Sequence, residues 1–174
     1  MLLIAGTGRN TGKTTLACTI LRKFSSHLSI IAVKITPHFH KMVESGKVIM
    51  NEGSIFIAEE TDGNTGKDSS LMLQAGAVKS YFVMVKDEHL EKAFQKIEKL
   101  IPADSLLVCE SGGLRQHVVP GLFFMMNKPY GELIKPEAEK LMLLVDRVIT
   151  FDGEKIDFEI DRIEISNNQW KLNR

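Results

Sequence analysis

Only two cysteines, Cys18 and Cys109, occur in the 174 residues, and both fall in apolar segments. A disulfide-stapled fold is excluded on that count, and the expectation is a reduced, cytoplasmic protein whose thiols are small apolar filler. Neither sign of charge is in excess, with 22 basic residues against 22 acidic ones. The chain therefore lacks the electrostatic footprint of a nucleic-acid or anionic-membrane binder. No apolar run approaches the ~20 residues of a membrane span. No charged leader precedes Leu2-Leu3-Ile4, so a signal peptide is not expected. Internal repeats and low-complexity segments are also lacking. His38 and His40 stand close together, but no cysteine or third histidine lies near enough to complete a metal site. What remains, 44% hydrophobic and 25% charged, is the composition of one α/β domain with a full core.

Within that ordinary composition one segment stands apart. Residues 2 to 15 read Leu-Leu-Ile-Ala-Gly-Thr-Gly-Arg-Asn-Thr-Gly-Lys-Thr-Thr, a short apolar strand running into a glycine loop that opens a helix. The pattern G-x-x-x-x-G-K-[ST] marks a phosphate-binding loop. Here Gly12, Lys13 and Thr14 fit its end, while Thr7 occupies its first position between Gly6 and Gly8. Glycines let such a loop turn successive N–H groups toward phosphate oxygens. In that reading Gly8, Arg9, Asn10, Thr11, Gly12, Lys13, Thr14 and Thr15 bind the nucleotide. Lys13 reaches the β and γ phosphates, Thr14 offers a hydroxyl to Mg²⁺, and the helix from about residue 13 points its positive end at the anion. The rival is a dinucleotide fingerprint, G-x-G-x-x-G. It fails because the third position is Thr11 and the next apolar run ends in Lys34 without a ribose-binding acid.

Strands are expected at about 2–6, 29–34, 54–58, 78–85, 106–109, 122–126 and 147–151, and helices at about 13–25, 68–75, 87–101 and 136–145. Asp87 is read as a cap, and Leu90, Phe94, Ile97 and Ile101 as one apolar stripe. Residues 35 to 70 are otherwise irregular. From Lys155 to Leu172 apolar and polar residues alternate, as one or two edge strands or a hairpin would. A homodimer through those apolar edges is a further expectation. The alternation of strands and helices predicts an α/β chain with the three-layer phosphate-loop NTPase fold. It would be a single nucleotide-binding domain over 1–174, its mainly parallel sheet covered by helices on both faces.

Ligands bind such sheets at the carboxyl ends of the strands. Lys34, Glu110 and Asn127 fall at such ends. Glu110 follows four apolar residues and precedes Ser111-Gly112-Gly113, where an acid would hold Mg²⁺ or its water shell. Lys13 and Glu110 are the candidate catalytic pair, and Thr14 and Glu110 the candidate metal ligands. Gly112 and Gly113 leave room for a γ-phosphate or acyl group, and Asn127 for a base edge. Asp68 either caps a helix or faces Mg²⁺ or substrate. With Lys34, Gly112 and Gly113 it makes up the candidate substrate set. Guanine-reading Asn-Lys-x-Asp is broken by Tyr130.

Gly12-Lys13-Thr14-Thr15, Lys34 with His38, Gly66-Lys67-Asp68-Ser69 and Ala75-Gly76-Ala77 together resemble the molybdopterin-guanine dinucleotide biosynthesis protein B family, over most of residues 1 to 126. That family's strand-end Glu-Gly is matched by Glu110, with Ser111 intervening before Gly112. The resemblance implies a GTP-binding, slow NTPase that assists attachment of a nucleotide to the molybdenum cofactor, working with a cofactor-handling protein or an unidentified small molecule. The chain is similar, second, to dethiobiotin synthetase. That family shares Gly6-Thr7 five residues before Gly12-Lys13-Thr14, and an acid followed by Gly-Gly, as in Glu110 to Leu114. It implies an ATP- and Mg²⁺-dependent ligase or kinase acting on a small carboxylate or alcohol. Lys-Pro after its second strand is here Lys34-Ile35, with the proline at Pro37.

Overall fold

We describe the chain from a computed structural model, over residues 1–39, 46–129, 134 and 136–173. His40 and Tyr130, both weighed above, lie outside the described residues.

The architecture is α/β. An eight-stranded sheet runs in the order β3-β4-β5-β2-β6-β1-β7-β8, where β1 is Leu2–Gly6, β2 Ile30–Thr36, β3 Lys47–Glu52, β4 Ile55–Glu59, β5 Lys79–Val85, β6 Leu106–Glu110, β7 Leu122–Asn127 and β8 Arg147–Thr150. From β5 to β8 every neighbour pair is parallel. Strand β4 runs antiparallel to both β3 and β5. The parallel strands are apolar throughout because both their faces are covered. Side-chain alternation sends Leu2 and Ile4 to one face and Leu3 and Ala5 to the other. The first face is covered by α1 (Lys13–Phe24) through Leu16, Ile20 and Leu21, and by α2 (Asp68–Gln74) through Met72. The second is covered by α3 (Leu90–Glu98) through Leu90, Phe94 and Ile97, and by α4 (Pro136–Met142) through Ala138 and Leu141. Cys18 and Cys109 are buried free thiols, and burial pushes the Cys18 thiol up to about 11. Among the described residues no helix is long and apolar enough to cross a membrane.

Three expectations are corrected. Residues 47–52 form the exposed edge strand β3, joined to β4 through a tight turn at Gly53-Ser54. Its mixed, solvent-facing side chains carry no alternation, and only its pairing with β4 defines it. Asp87 opens a 3-10 turn (Asp87–His89) instead of capping α3, whose start at His89 has no side-chain cap. The C-terminal alternation does form a hairpin, β9 (Ile163–Ser166) with β10 (Gln169–Leu172), but as a separate two-stranded sheet. It lies over the α1 face, because Ile163 and Trp170 are more stable buried there than as an exposed edge. Trp170 Nε1 donates to the Leu107 carbonyl at 3.1 Å, and its ring meets Phe24 edge-on at 5.6 Å.

Candidate functional site

Strand alternation alone brings a charged pair to one place. On β2, Ile30 and Ala32 face α1, so Lys34, two residues further on, faces it too. On β6 the same count from Leu106 and Val108 puts Glu110 on that face. The two strands are neighbours, with Lys34 directly opposite Glu110. The first turns of α1 and α2 reach this point from above. Thr14 Oγ1 donates to Glu110 Oε2 at 2.8 Å. Lys34 Nζ donates to Glu110 Oε1, and it pairs with Asp68 Oδ2 at 2.6 Å. Glu110 is 1% exposed, so its charge depends on these partners. Burial by itself would lower the Lys34 pKa, but Glu110 and Asp68 outweigh it and hold the ammonium above its usual value. Burial would likewise raise Asp68, but Lys34 and the more distant Lys13 hold its carboxyl below the usual range.

The loop from Gly6 to Gly12 wraps around Lys13. Lys13 Nζ donates to the Gly8 carbonyl at 2.9 Å and to Thr11 Oγ1 at 3.2 Å. A Cβ at Gly6 would collide with Thr11 Oγ1 and press on Lys13. Gly6 thus meets the need for a bare backbone that the pattern assigns to position 7, where Thr7 stands. The Thr7 side chain instead points away, donating from Oγ1 to Asn127 Oδ1 at 3.0 Å. Gly12 sits at φ +82 just before α1, and a Cβ there would lie 2.6 Å from Phe151 Cγ. Asn10 also has positive φ, at +53.

Two cavities meet at Arg9, Lys13, Lys34 and Glu110. One, of about 430 Å³, is lined by residues 9 to 15, Lys34, Asp68, Glu110 and Phe151. The other, of about 420 Å³, lies under the ends of β2, β5 and β6. Its walls combine apolar Ile35, Val85, Leu90 and Ala138 with polar Thr36, His38, Asp87, Gln116, His117 and Glu137. Gly8, Gly112 and Gly113 line the second cavity, and a Cβ at Gly112 would meet no atom within 4 Å.

Of the residues singled out in the sequence, Arg9, Asn10, Thr11, Gly12, Lys13, Thr14, Thr15, Lys34, Asp68 and Glu110 share the first cavity. Arg9, Asn10 and Thr15 are exposed. Asp68 begins α2 without capping it by a side-chain hydrogen bond. Asn127 lines neither of these two cavities and holds the loop through Thr7. His38 is exposed on the rim of the second. Missing from the sequence expectations are Gly6, Thr7, Phe151 and the Gln116–His117 wall. Phe151 follows an apolar run at a strand end, which is the one available signal. Comparison with family models, curated proteins and solved structures gives no match to this chain.

Proposed function

We propose that the chain binds a nucleoside triphosphate with Mg²⁺ at the first cavity and hydrolyses it slowly. One observation carries this reading. Thr14, Asp68, Glu110 and Lys34 converge at the start of α1, under a loop bent around Lys13. Loop amides, the Lys13 ammonium and the α1 N-terminus together suit a polyphosphate. The Thr14 hydroxyl with the Asp68 and Glu110 carboxylates is a hard-oxygen donor set of the kind Mg²⁺ takes, alongside phosphate oxygens and water. The Lys34 ammonium between the two carboxylates indicates that this spot favours positive charge. When bound, Mg²⁺ would neutralise charge on the β and γ phosphates. The chain's own part is positioning: Lys13 on the phosphate tail, Glu110 orienting Thr14, and Lys34 adding a second cation beside the γ-phosphate.

The resemblance of Gly66-Lys67-Asp68-Ser69 and Ala75-Gly76-Ala77 to the molybdopterin-guanine dinucleotide biosynthesis protein B family supports GTP as the nucleotide and molybdenum-cofactor maturation as the setting. The second cavity favours an alternative reading, an ATP-dependent ligase or kinase of dethiobiotin-synthetase type. It opens beside Lys34 and Gly112, where a small carboxylate or alcohol would meet the γ-phosphate. Calorimetric titration with Mg²⁺ and non-hydrolysable analogues of GTP and ATP tests both. A preference for GTP is the expected outcome. A preference for ATP moves the assignment to the ligase or kinase, and binding of neither overturns the proposal.

A further inference from the structure

Among the described residues that line the first cavity, every side chain is polar except that of Phe151, which is the only ring. Its place in the sheet is informative. The charged cluster stands at the ends of β2 and β6, on one side of β1. Phe151 directly follows β8, on the other side of β1. From β6 to β8 is three strand spacings, or about 14 Å, comparable with the reach of an extended nucleoside triphosphate from γ-phosphate to base. A ligand whose tail lies at Glu110 and Lys34 and which extends across β1 brings its other end to β8.

The ring is also held in position. Phe151 N–H donates to the Asn127 carbonyl at 2.9 Å, and the residue bridges to Ile156 across a short turn. Its Cβ, Cγ and Cδ1 pack against Gly12. The half-buried ring packs on Gly12 and on the α1-side core, and what it leaves at the rim of the polar cleft is apolar surface of the kind a nucleobase stacks on.

Resting on the nucleotide reading above, we propose that Phe151 is the stacking platform for the nucleotide's base. A face-on platform takes purines alike, since every base has a π-face. Base selection then falls to groups other than Phe151.

The test compares wild type, Phe151→Ala and Phe151→Leu by calorimetry with three Mg²⁺ complexes: those of non-hydrolysable GTP and ATP analogues, and inorganic tripolyphosphate. Tripolyphosphate carries the charged tail but no base. Phe151→Ala is expected to weaken both nucleotides by roughly 5- to 150-fold, the range of base–aromatic stacking, with tripolyphosphate affinity unchanged. Phe151→Leu, which keeps an apolar side chain against Gly12, is expected to fall between, and it carries the comparison where the alanine variant does not fold. Equal weakening of tripolyphosphate and nucleotide, or unchanged nucleotide affinity, would overturn the platform, the former making the ring a brace for the loop. Failure of the wild type to bind either tripolyphosphate or nucleotide would instead sink the nucleotide reading itself.

Discussion

Two glycine loops follow the neighbouring strands β1 and β6, and their glycines answer to different neighbours. In the loop after β1, Gly6 is bare because Thr11 and Lys13 crowd it, and Gly12 because Phe151 does. In the loop after β6, Gly112 faces open space and has no positive φ, while a Cβ at Gly113 would meet the flexible end of Leu90 at 3.2 Å and Asp87 Oδ1 at 3.8 Å. The first loop is specified by the protein's own packing. The second leaves a methyl-sized gap on a cavity wall at Gly112, so packing does not require a glycine there. Glycines that packing forces can thus be told apart from those it leaves open, though both read simply as glycine in the sequence.

The sharpest way to break this contrast is Lys13→Ala. If the first loop serves a polyphosphate, removing its one buried-side cation should cost on the order of 10²-fold in Mg·nucleotide affinity, as for truncation of a desolvated charge pair. Lys13 is only half-buried, so the chain should still fold. Unchanged calorimetric affinity in a folded variant sinks the phosphate assignment.

Gly12→Ala comes next. A residue with a Cβ at φ +82 is strained by about 1–2 kcal/mol, and the new methyl must also displace Phe151. Destabilisation of at least about 2 kcal/mol is expected in urea unfolding. A neutral result would show that the loop is not held as described.

Glu110→Gln keeps the shape of the side chain but removes the charge that Lys34 and Thr14 share. Mg²⁺-dependent hydrolysis should fall roughly 10- to 100-fold, the usual cost of a disturbed metal shell, with the core intact. Hydrolysis at the wild-type rate would remove Glu110 from the chemistry.

The residues behind these three variants were legible in the sequence for physical reasons. Lys13 and Gly12 sit in a contiguous motif, and Glu110 ends an apolar strand, so local order was enough. An apolar run likewise placed Lys34 at a strand end, but not opposite Glu110, because strand order is a long-range property. Phe151 went unread for that reason: only the order β6-β1-β7-β8 brings it beside Gly12. Strand β3 was missed because an exposed edge needs no buried stripe, and the C-terminal hairpin was misplaced because alternation does not say which face it covers.

A smaller effect concerns the acid shared between the loop and α2. The Asp68 pKa is lowered in the folded chain, so its pair with Lys34 stabilises above the unfolded carboxylate value and is lost as pH falls through the folded one. The Lys34 pKa is raised, so the same pair persists up to the usual lysine range and weakens only above it. Wild type should therefore exceed Asp68→Asn in Tm between about pH 4 and pH 10, and the gap should close toward pH 2. Asp68 is 42% exposed at its side chain, so solvent screening limits the difference to at most about 1 kcal/mol. A gap that widens in acid would contradict the pairing.

Gly112→Ala is expected to change stability least, and it tests the contrast most directly. The added methyl meets no protein atom within 4 Å, so urea unfolding should shift by less than about 0.5 kcal/mol. What the methyl does occupy is space on the wall of the second cavity. An intact fold with altered turnover would mean that the loop after β6 keeps its glycine for a ligand. A loss of stability as large as that expected of Gly12→Ala would mean that both loops are packed alike, and the distinction between them would fall.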